Sequence, residues 1–357
     1  MERKAYLILA NGKVFEAKRF GADGETIGEL VFSTAMTGYL ETLTDPAYYG
    51  QIVMQTFPLV GNYGVISSDL ESRKPSLNAY IVHDWCQTPS NFRCEGDIDT
   101  FLKSHGVIGL YGLDVREITR ILREFGVMNA VISDTPELTA ERRRQLHGYS
   151  VQDAVAAVSG VAGIADTDEG ELHTVVWDFG ARRVIARSLQ ERGCRVSVVA
   201  HDATAQQIAD LKPDGVVLSD GPGDPSDNFE IIEQIRLLTE KNIPIFGLGL
   251  GHQMLALARG AMTHKLKYGH RGSNQPVIDT DTGRIHITSQ NHGYAVTTST
   301  LPAAAQAYLV NANDASCEGI RYTDIPAISA QFGAEACGFM FDAFVKMMKE
   351  EKDHAAE

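Results

Sequence analysis

Long apolar runs, a surplus of basic residues and paired cysteines are all missing from this sequence of 357 residues. No stretch approaches the roughly 20 apolar residues of a membrane-spanning helix, and the first residues lack the cleavage region of a secretory signal. We therefore expect no membrane association and a cytoplasmic location. The net charge of −14 argues against nucleic acid as a partner, because phosphate contacts require a basic face.

The five cysteines are odd in number and scattered along the chain. They lack the CxxC spacing of a metal site and the even count of a disulfide framework, so the sequence predicts neither. Composition is ordinary for a globular protein, with 44% hydrophobic and 22% charged residues. The chain is long enough for two domains with sizeable cores.

The two halves of the chain differ in pattern. Residues 1–158 read as mixed α and β, with a β-hairpin around Asn11 and Gly12 and a helix over Val115–Phe125. The stretch from Ser159 to Glu171 is small, acidic and weakly periodic. It is typical of a linker.

From residue 172 onward, apolar strands alternate with amphipathic helices. This alternation predicts a parallel, doubly wound sheet, whose ligands bind at the carboxyl ends of its strands. Segments from His286 onward are β-rich and lead to a C-terminal helix over Phe339–Lys352. The predicted elements before them are strand His173–Phe179, helix Ala181–Arg192, strand Cys194–Ala200, helix Thr204–Leu211, strand Gly215–Asp220, helix Asn228–Glu240, strand Ile243–Leu250 and helix Gln253–Arg259.

Gly249 falls at the sharp turn between the last predicted strand and helix, in the frame of a nucleophile elbow. A cysteine there would present its sulfur over the amides of a helix N-terminus, which stabilise a thiolate and an oxyanion. Glycine has no side chain for either task. The sequence therefore combines the frame of a catalytic turn with the absence of a nucleophile.

The segment GLGLGHQ, from Gly247 to Gln253, resembles the G-I-C-L-G-H-Q box of class I glutamine amidotransferases. The chain as a whole is similar to the small, glutamine-hydrolysing subunits of carbamoyl-phosphate synthetase. Further segments that carry the resemblance are Ser33–Val53, Pro58–Gly64, Gly109–Glu124, Val175–Arg183, Leu218–Pro225, Lys267–Val277 and Ser289–Val296. The resemblance implies a mixed α/β small-subunit domain over 1–158, a linker over 159–171, and a flavodoxin-like amidotransferase domain over 172–357.

The resemblance also implies where a catalytic apparatus would lie. Gly249 takes the position of the family's nucleophilic Cys. The late H-P-E motif of the family matches Gly333, Ala334 and Glu335, so the His that serves as base is missing while the carboxylate remains. His252 and His292 are His in active relatives too, where they are not the base.

The glutamine pocket of the family is largely matched. Ala47 stands where the family usually has a Ser, and Tyr294 replaces the commoner Phe. The other matching pocket positions are Gly221, Gly223, Leu250, Gln253, Asn291 and Gly293.

Three functions follow as expectations. The first is a small subunit with a disabled glutaminase centre that docks on a large subunit. ATP and magnesium would be bound by the large subunit, which would make carbamoyl phosphate for arginine and pyrimidine synthesis. This chain itself would carry no cofactor. The second is a family glutaminase altered on purpose at its catalytic residues. The third is a stand-alone module that binds glutamine or another metabolite. A neighbouring gene for a large subunit favours the first two, and its absence the third.

Overall fold

The computed structural model describes residues 3–356, which form two compact units that divide between Ala154 and Val155. The division lies near the predicted end of the first domain at residue 158, and the predicted boundaries themselves stay predictions. No regular element lies between residues 159 and 171, the predicted linker.

Within residues 3–154, seven strands close into a barrel in the order β1-β2-β8-β6-β4-β3-β9. A short parallel pair, β5 and β7, lies outside it. The strands are β1 Lys4–Leu9, β2 Val14–Gly21, β3 Thr26–Ser33, β4 Gln51–Gln55, β5 Leu59–Val60, β6 Ala79–Ile81, β7 Asp84–Trp85, β8 Ile108–Tyr111 and β9 Met128–Ser133. The helices are α1 Tyr39–Thr44, α2 Ile98–Ser104, α3 Val115–Phe125 and α4 Ala140–Gly148, and α5 Ala154–Val158 lies at the division.

Two predictions for the first half are confirmed. β1 and β2 pair antiparallel around the Asn11–Gly12 turn, where Gly12 adopts a φ of 88°. The helix predicted over Val115–Phe125 has the same bounds in the structure. Asp114 caps it by accepting a hydrogen bond from the Glu117 amide at 2.8 Å.

Within residues 155–356, nine strands form one sheet in the order β11-β10-β12-β13-β18-β17-β16-β14-β15. The strands are β10 Leu172–Asp178, β11 Cys194–Ala200, β12 Gly215–Leu218, β13 Ile245–Leu248, β14 Thr263–Asp279, β15 Ile285–Val296, β16 Ala305–Asn311, β17 Cys317–Tyr322 and β18 Ala327–Ala330. The helices are α6 Arg183–Gln190, α7 Ala205–Asp210, α8 Phe229–Thr239, α9 Leu250–Ala258 and α10 Gly338–Ala356.

The strands from β11 to β18 in this order are parallel, as the alternation predicts, and the remaining four pair antiparallel. Side chains alternate between the two faces of a strand. Val175 and Trp177 of β10 therefore lie in one buried cluster, which includes Met254 of α9. Val176 lies in the other, with Phe341 of α10. This is the doubly covered sheet of a flavodoxin-like domain.

The element predictions around the turn need one correction. α9 begins at Leu250, three residues earlier than predicted, and β13 ends at Leu248. The reason is that a single residue, Gly249, makes the whole connection, so no loop separates strand from helix. Among residues 3–356, none of the helices combines the length and the apolar character needed to cross a membrane.

We expect Gly251→Ala to lower the free energy of unfolding by about 1–3 kcal/mol, the usual range for overpacking a tight core. A Cβ at this position of α9 would lie 2.3 Å from the Leu218 carbonyl oxygen of β12, which is backbone and cannot yield easily. The measurement is thermal unfolding beside Gly338→Ala. A Cβ at Gly338 would meet only the Arg192 guanidinium, at 3.6 Å, so this control should change little. Equal melting temperatures for the two variants would contradict the close approach of α9 to β12.

Candidate active site

The turn between β13 and α9 has the backbone of a nucleophile elbow. Gly249 has φ 49° and ψ −109°, a conformation that glycine adopts without the strain other residues incur. Its amide donates to the Ala330 carbonyl at 2.9 Å, and the Gly251 amide donates to the Ser219 carbonyl at 3.0 Å. These bonds hold the turn to the ends of the strands on either side, at the carboxyl edge of the sheet where ligands bind in such folds.

The glycine loop after β12 lies against this turn. A Cβ on Gly221 would come within 2.3 Å of the Phe179 carbonyl oxygen and 3.0 Å of the Leu250 side chain. Gly223 has a φ of 93°. Both positions therefore require glycine, and the structure brings Gly221 and Leu250, two of the predicted pocket positions, into contact.

A charged cluster forms beside the turn. The Arg182 guanidinium lies between two carboxylates, with Nε 2.6 Å from Asp220 Oδ2 and Nη1 3.1 Å from Glu335 Oε2. The Arg182 and Asp220 side chains are only 11% and 13% exposed, so solvent screens this contact less than a surface ion pair. Sequence reasoning found Glu335 but missed Arg182, which is 153 positions away and has no local signal.

Glu335 also fills the space beside Gly333. A Cβ built on Gly333 would lie 2.6 Å from each carboxylate oxygen of Glu335. The place where a side chain at residue 333 would begin is thus occupied by a carboxylate that is paired with Arg182.

Neither neighbouring histidine is placed to act as a base. His252 is fully buried with Nδ1 2.8 Å from Ser329 Oγ, and burial lowers its pKa to about 3. His292 is buried with Nδ1 2.8 Å from the Tyr294 carbonyl oxygen, and burial, with the nearby His270, lowers its pKa well below the ordinary value. Both imidazoles are engaged and enclosed.

Two other side chains could be considered as nucleophiles. Cys337 lies near the charged cluster, but it is fully buried and burial raises the pKa of its thiol well above the ordinary value. Ser329, the partner of His252, is also fully buried. A substrate reaches neither atom without opening the core, and a thiol of raised pKa is a poor nucleophile.

The remaining pocket positions lie on α9 and β15. Gln253 Nε2 donates to the Tyr294 carbonyl and to Gln331 Oε1, each at 2.8 Å, which ties α9 to β15 and to the segment after β18. Asn291, Gly293 and Tyr294 are half-buried on β15. Ala47 lies in the first unit, in the short 3₁₀ helix Pro46–Tyr48, where its amide donates to Asp45 Oδ1 at 2.9 Å. That any of these positions binds glutamine stays a prediction.

Comparison with known proteins gives consistent results along the chain. The family described as carbamoyl-phosphate synthase small chain, CPSase domain, matches residues 7–132, and glutamine amidotransferase class-I matches residues 175–340. A carbamoyl phosphate synthase small chain of Clostridium perfringens is 46% identical over 349 residues, which are 96% of this chain and 99% of the relative. Proteins of the same name are 44% identical in Oceanobacillus iheyensis, over 98% of this chain and 97% of the relative, and 43% identical in Bacillus caldolyticus, over 97% of each.

The buried histidine His252 predicts a defined response to acid. Its pKa of about 3 in the folded state lies below the ordinary value near 6.5, so between these values the unfolded chain binds a proton that the folded chain does not. Its contribution to the free energy of unfolding is complete above about pH 6.5 and falls by about 1.4 kcal/mol per pH unit below it. When the pH is lowered from about 7 to about 5, we expect the melting temperature of His252→Gln to fall less than that of the native chain.

The matched control is His354→Gln, which removes an exposed imidazole near the end of α10. It should follow the native chain at both pH values. Identical losses of melting temperature in the native chain and in His252→Gln would show that His252 is not held neutral by burial.

Proposed function

This chain belongs to the family of carbamoyl-phosphate synthase small chains, and on that premise we propose that it is a small subunit whose own glutaminase centre does not turn over. The observation that carries the proposal is Gly249. Glutamine hydrolysis needs a thiolate at this turn, and a glycine has only a hydrogen atom in place of a side chain.

The chemistry explains why this loss matters. A thiolate attacks the carbon of the glutamine carboxamide, ammonia leaves as the acyl-enzyme forms, and water then releases glutamate. A base must first take the thiol proton and afterwards give a proton to the departing ammonia. The chain has no thiol at residue 249 and no imidazole at residue 333.

The contacts of Glu335 support the same conclusion. In a working triad a carboxylate orients the base. Here the Glu335 carboxylate pairs with Arg182 and lies in the space beside Gly333. Its carboxylate thus faces a guanidinium, which it shares with Asp220, and not an imidazole that could move a proton.

Docking on a large chain is the second part of the proposal. Docking would use residues other than the catalytic Cys and His that this chain lacks. The segments Ser33–Gly64 and Gly109–Glu124 keep the family pattern. In this arrangement the large chain supplies the ATP and magnesium chemistry and takes ammonia from solution. The turn and the glycine loop at Gly221 are also retained, so glutamine could still be bound without being hydrolysed.

The test is purification with a large chain from the same source, followed by assays with glutamine and with ammonia in parallel. Permanent subunit interfaces commonly bury roughly 2,000 Å² or more, so we expect the pair to elute together at micromolar concentration. Ammonia should support carbamoyl phosphate synthesis and glutamine should not, since the loss of one member of a catalytic unit costs on the order of a millionfold. A glutaminase-competent small chain of the family, on its own large chain, is the control.

Each outcome decides one part of the proposal. Separate elution at several salt concentrations would leave the stand-alone module that binds glutamine or another metabolite. Glutamine-dependent synthesis at roughly 10 per second, a typical enzyme turnover, would overturn the inactive centre.

We expect Gly249→Cys to lower the melting temperature without restoring turnover. The positive φ of 49° strains any side chain at residue 249, and a Cβ there would lie 3.0 Å from the Asp220 Cβ. Such strain costs about 1–3 kcal/mol. The new thiol should react with an alkylating reagent, yet no imidazole is present to protonate ammonia.

Gly249→Ala is the matched control, because it carries the same backbone strain without the thiol. Its melting temperature should fall by a similar amount. Adding Gly333→His to Gly249→Cys tests the base, since an imidazole at 333 must displace the Glu335 carboxylate from Arg182. Turnover should appear only in the double variant. Full activity of Gly249→Cys alone would show that another residue serves as base.

A further inference from the structure

A second polar centre lies on the antiparallel side of the second unit's sheet. His270 of β14 and His292 of β15 occupy directly opposed positions of the hairpin, and Glu318 of β17 lies beside them. One ligand atom from each of the three lies within 4.8 Å of the others. His270 Nδ1 is 3.2 Å from His292 Nε2 and 3.6 Å from Glu318 Oε1.

The outer hydrogen bonds determine which ring nitrogens carry hydrogen. His270 Nε2 lies 2.9 Å from Asp314 Oδ2, and an ionised carboxylate only accepts, so this nitrogen is the donor. His292 Nδ1 lies 2.8 Å from the Tyr294 carbonyl oxygen, which also only accepts. In the neutral rings, His270 Nδ1 and His292 Nε2 are therefore both lone-pair atoms, and they face each other.

Two side-chain oxygens add to this convergence. Gln290 Nε2 donates to Glu318 Oε2 at 2.8 Å and to Thr288 Oγ1 at 3.1 Å. That orientation directs Gln290 Oε1 at His292 Nε2, 3.0 Å away. Two nitrogen lone pairs and a carboxylate oxygen thus converge, with an amide oxygen 3.0 Å from one of the nitrogens. Such a set of acceptors requires a proton or a cation between its members.

The geometry points to a structural Zn²⁺ site formed by His270, His292 and Glu318, with Gln290 Oε1 as the fourth ligand. Two imidazoles and a carboxylate are a ligand set that suits zinc, whereas Mg²⁺ and Ca²⁺ prefer oxygen alone. Zinc bonds of about 2.0–2.1 Å place tetrahedral ligand atoms roughly 3.3 Å apart. The distances of 3.2 and 3.6 Å from His270 Nδ1 to its two neighbours agree with that spacing, and the His292 and Glu318 ligand atoms, which lie within 4.8 Å of each other, would draw together around an ion.

The surrounding contacts match what metal ligands need. Ligating histidines usually donate their other N–H to a carboxylate or a carbonyl, which fixes the ring and strengthens the ligand. Asp314 does this for His270 and the Tyr294 carbonyl for His292. Asn311 and Ser316 donate to Glu318 Oε1 at 3.1 and 3.2 Å.

The charge of a bound ion would be balanced at this centre. The Glu318 side chain is fully buried and that of His270 is 11% exposed, while Asp314, on the outer side of His270, is 43% exposed. Asp314 and Glu318 together match the double charge of zinc. A bound ion would join β14, β15 and β17 and fix the segment Gln290–Tyr294. The inference does not rest on the proposed function, although the segment Gln290–Tyr294 holds the predicted pocket positions Asn291, Gly293 and Tyr294.

The test uses the whole chain, purified without a metal-binding tag and stripped with a chelator. Titration with zinc chloride in competition with a coloured chelator should give one Zn²⁺ per chain and a melting temperature that rises with the concentration of free zinc. Co²⁺ should replace zinc and show the visible bands of a four-coordinate site. His270→Gln should bind zinc at least tenfold more weakly.

Two further variants separate ligation from folding. Asp314→Asn changes an exposed residue that touches the ligand His270 only from outside, and it should weaken zinc binding by roughly tenfold while the fold is kept. His264→Gln removes an exposed imidazole from the same strand, β14, and should bind zinc like the native chain.

A native chain that takes up no zinc at micromolar concentration would show that a proton shared by the two imidazoles supplies the positive charge. Zinc affinity that is equal in the native chain, His270→Gln and Asp314→Asn would show an adventitious ion only. Either result overturns the proposal.

Discussion

The connection of β13 to α9 through a single residue constrains most of the second unit. Gly249 must take a positive φ, and Gly251 must let the helix approach the Leu218 carbonyl of β12. A Cβ on Gly247 would lie 3.0 Å from the Gly251 carbonyl oxygen. Close backbone packing thus accounts for glycine at residues 247 and 251. At residue 249 the resembled family has a cysteine, so glycine there relieves the strain of the positive φ but is not required by the packing.

The charged groups beside the turn are paired with one another. Arg182 forms ion pairs with two carboxylates in a partly buried position, so removal of the guanidinium would cost both of them this compensation. Glu335, at 41% exposed, is the most open of the three side chains, and its carboxylate oxygen lies 3.1 Å from the guanidinium.

Local signals account for what could be predicted from the sequence. The helix over Val115–Phe125 was predicted with its bounds because Asp114 caps its start and Gly126 ends it with a φ of 93°. The parallel half of the second sheet followed from the alternation of strand and helix. In its antiparallel extension, the segments from His286 onward were predicted only as β-rich and β14 was not predicted, because strand order is decided by pairing between distant segments.

Contacts between distant residues explain what was missed at the sites. Arg182 and Glu335 meet across 153 positions, and His270, His292 and Glu318 of the second polar centre are separated by 22 and 26 positions. Gln290 lies two positions before His292, the ordinary spacing of side chains on one face of a strand, which marks no site by itself. Antiparallel pairing brings His270 opposite His292. The turn at Gly249 could be found because its whole signal lies within one strand and one helix.

The barrel of the first unit has a consequence for how the chain meets other molecules. In a closed sheet, every described barrel strand has a partner on both sides, so none of them offers the row of open amides and carbonyls to which a foreign strand could add. Recognition by that barrel must use side chains and loops, which encode shape and charge more specifically than a bare strand edge. One edge of the second unit's sheet is β15, which exposes Ile285 and Ile287 at 57% and 64%. Along the other edge, β11, the Thr167 amide donates to the Val196 carbonyl at 2.8 Å and the Val198 amide donates to Asp166 Oδ1 at 2.9 Å. Addition of a foreign strand is therefore most favoured at β15, whereas the closed barrel of the first unit offers no such edge among its described strands.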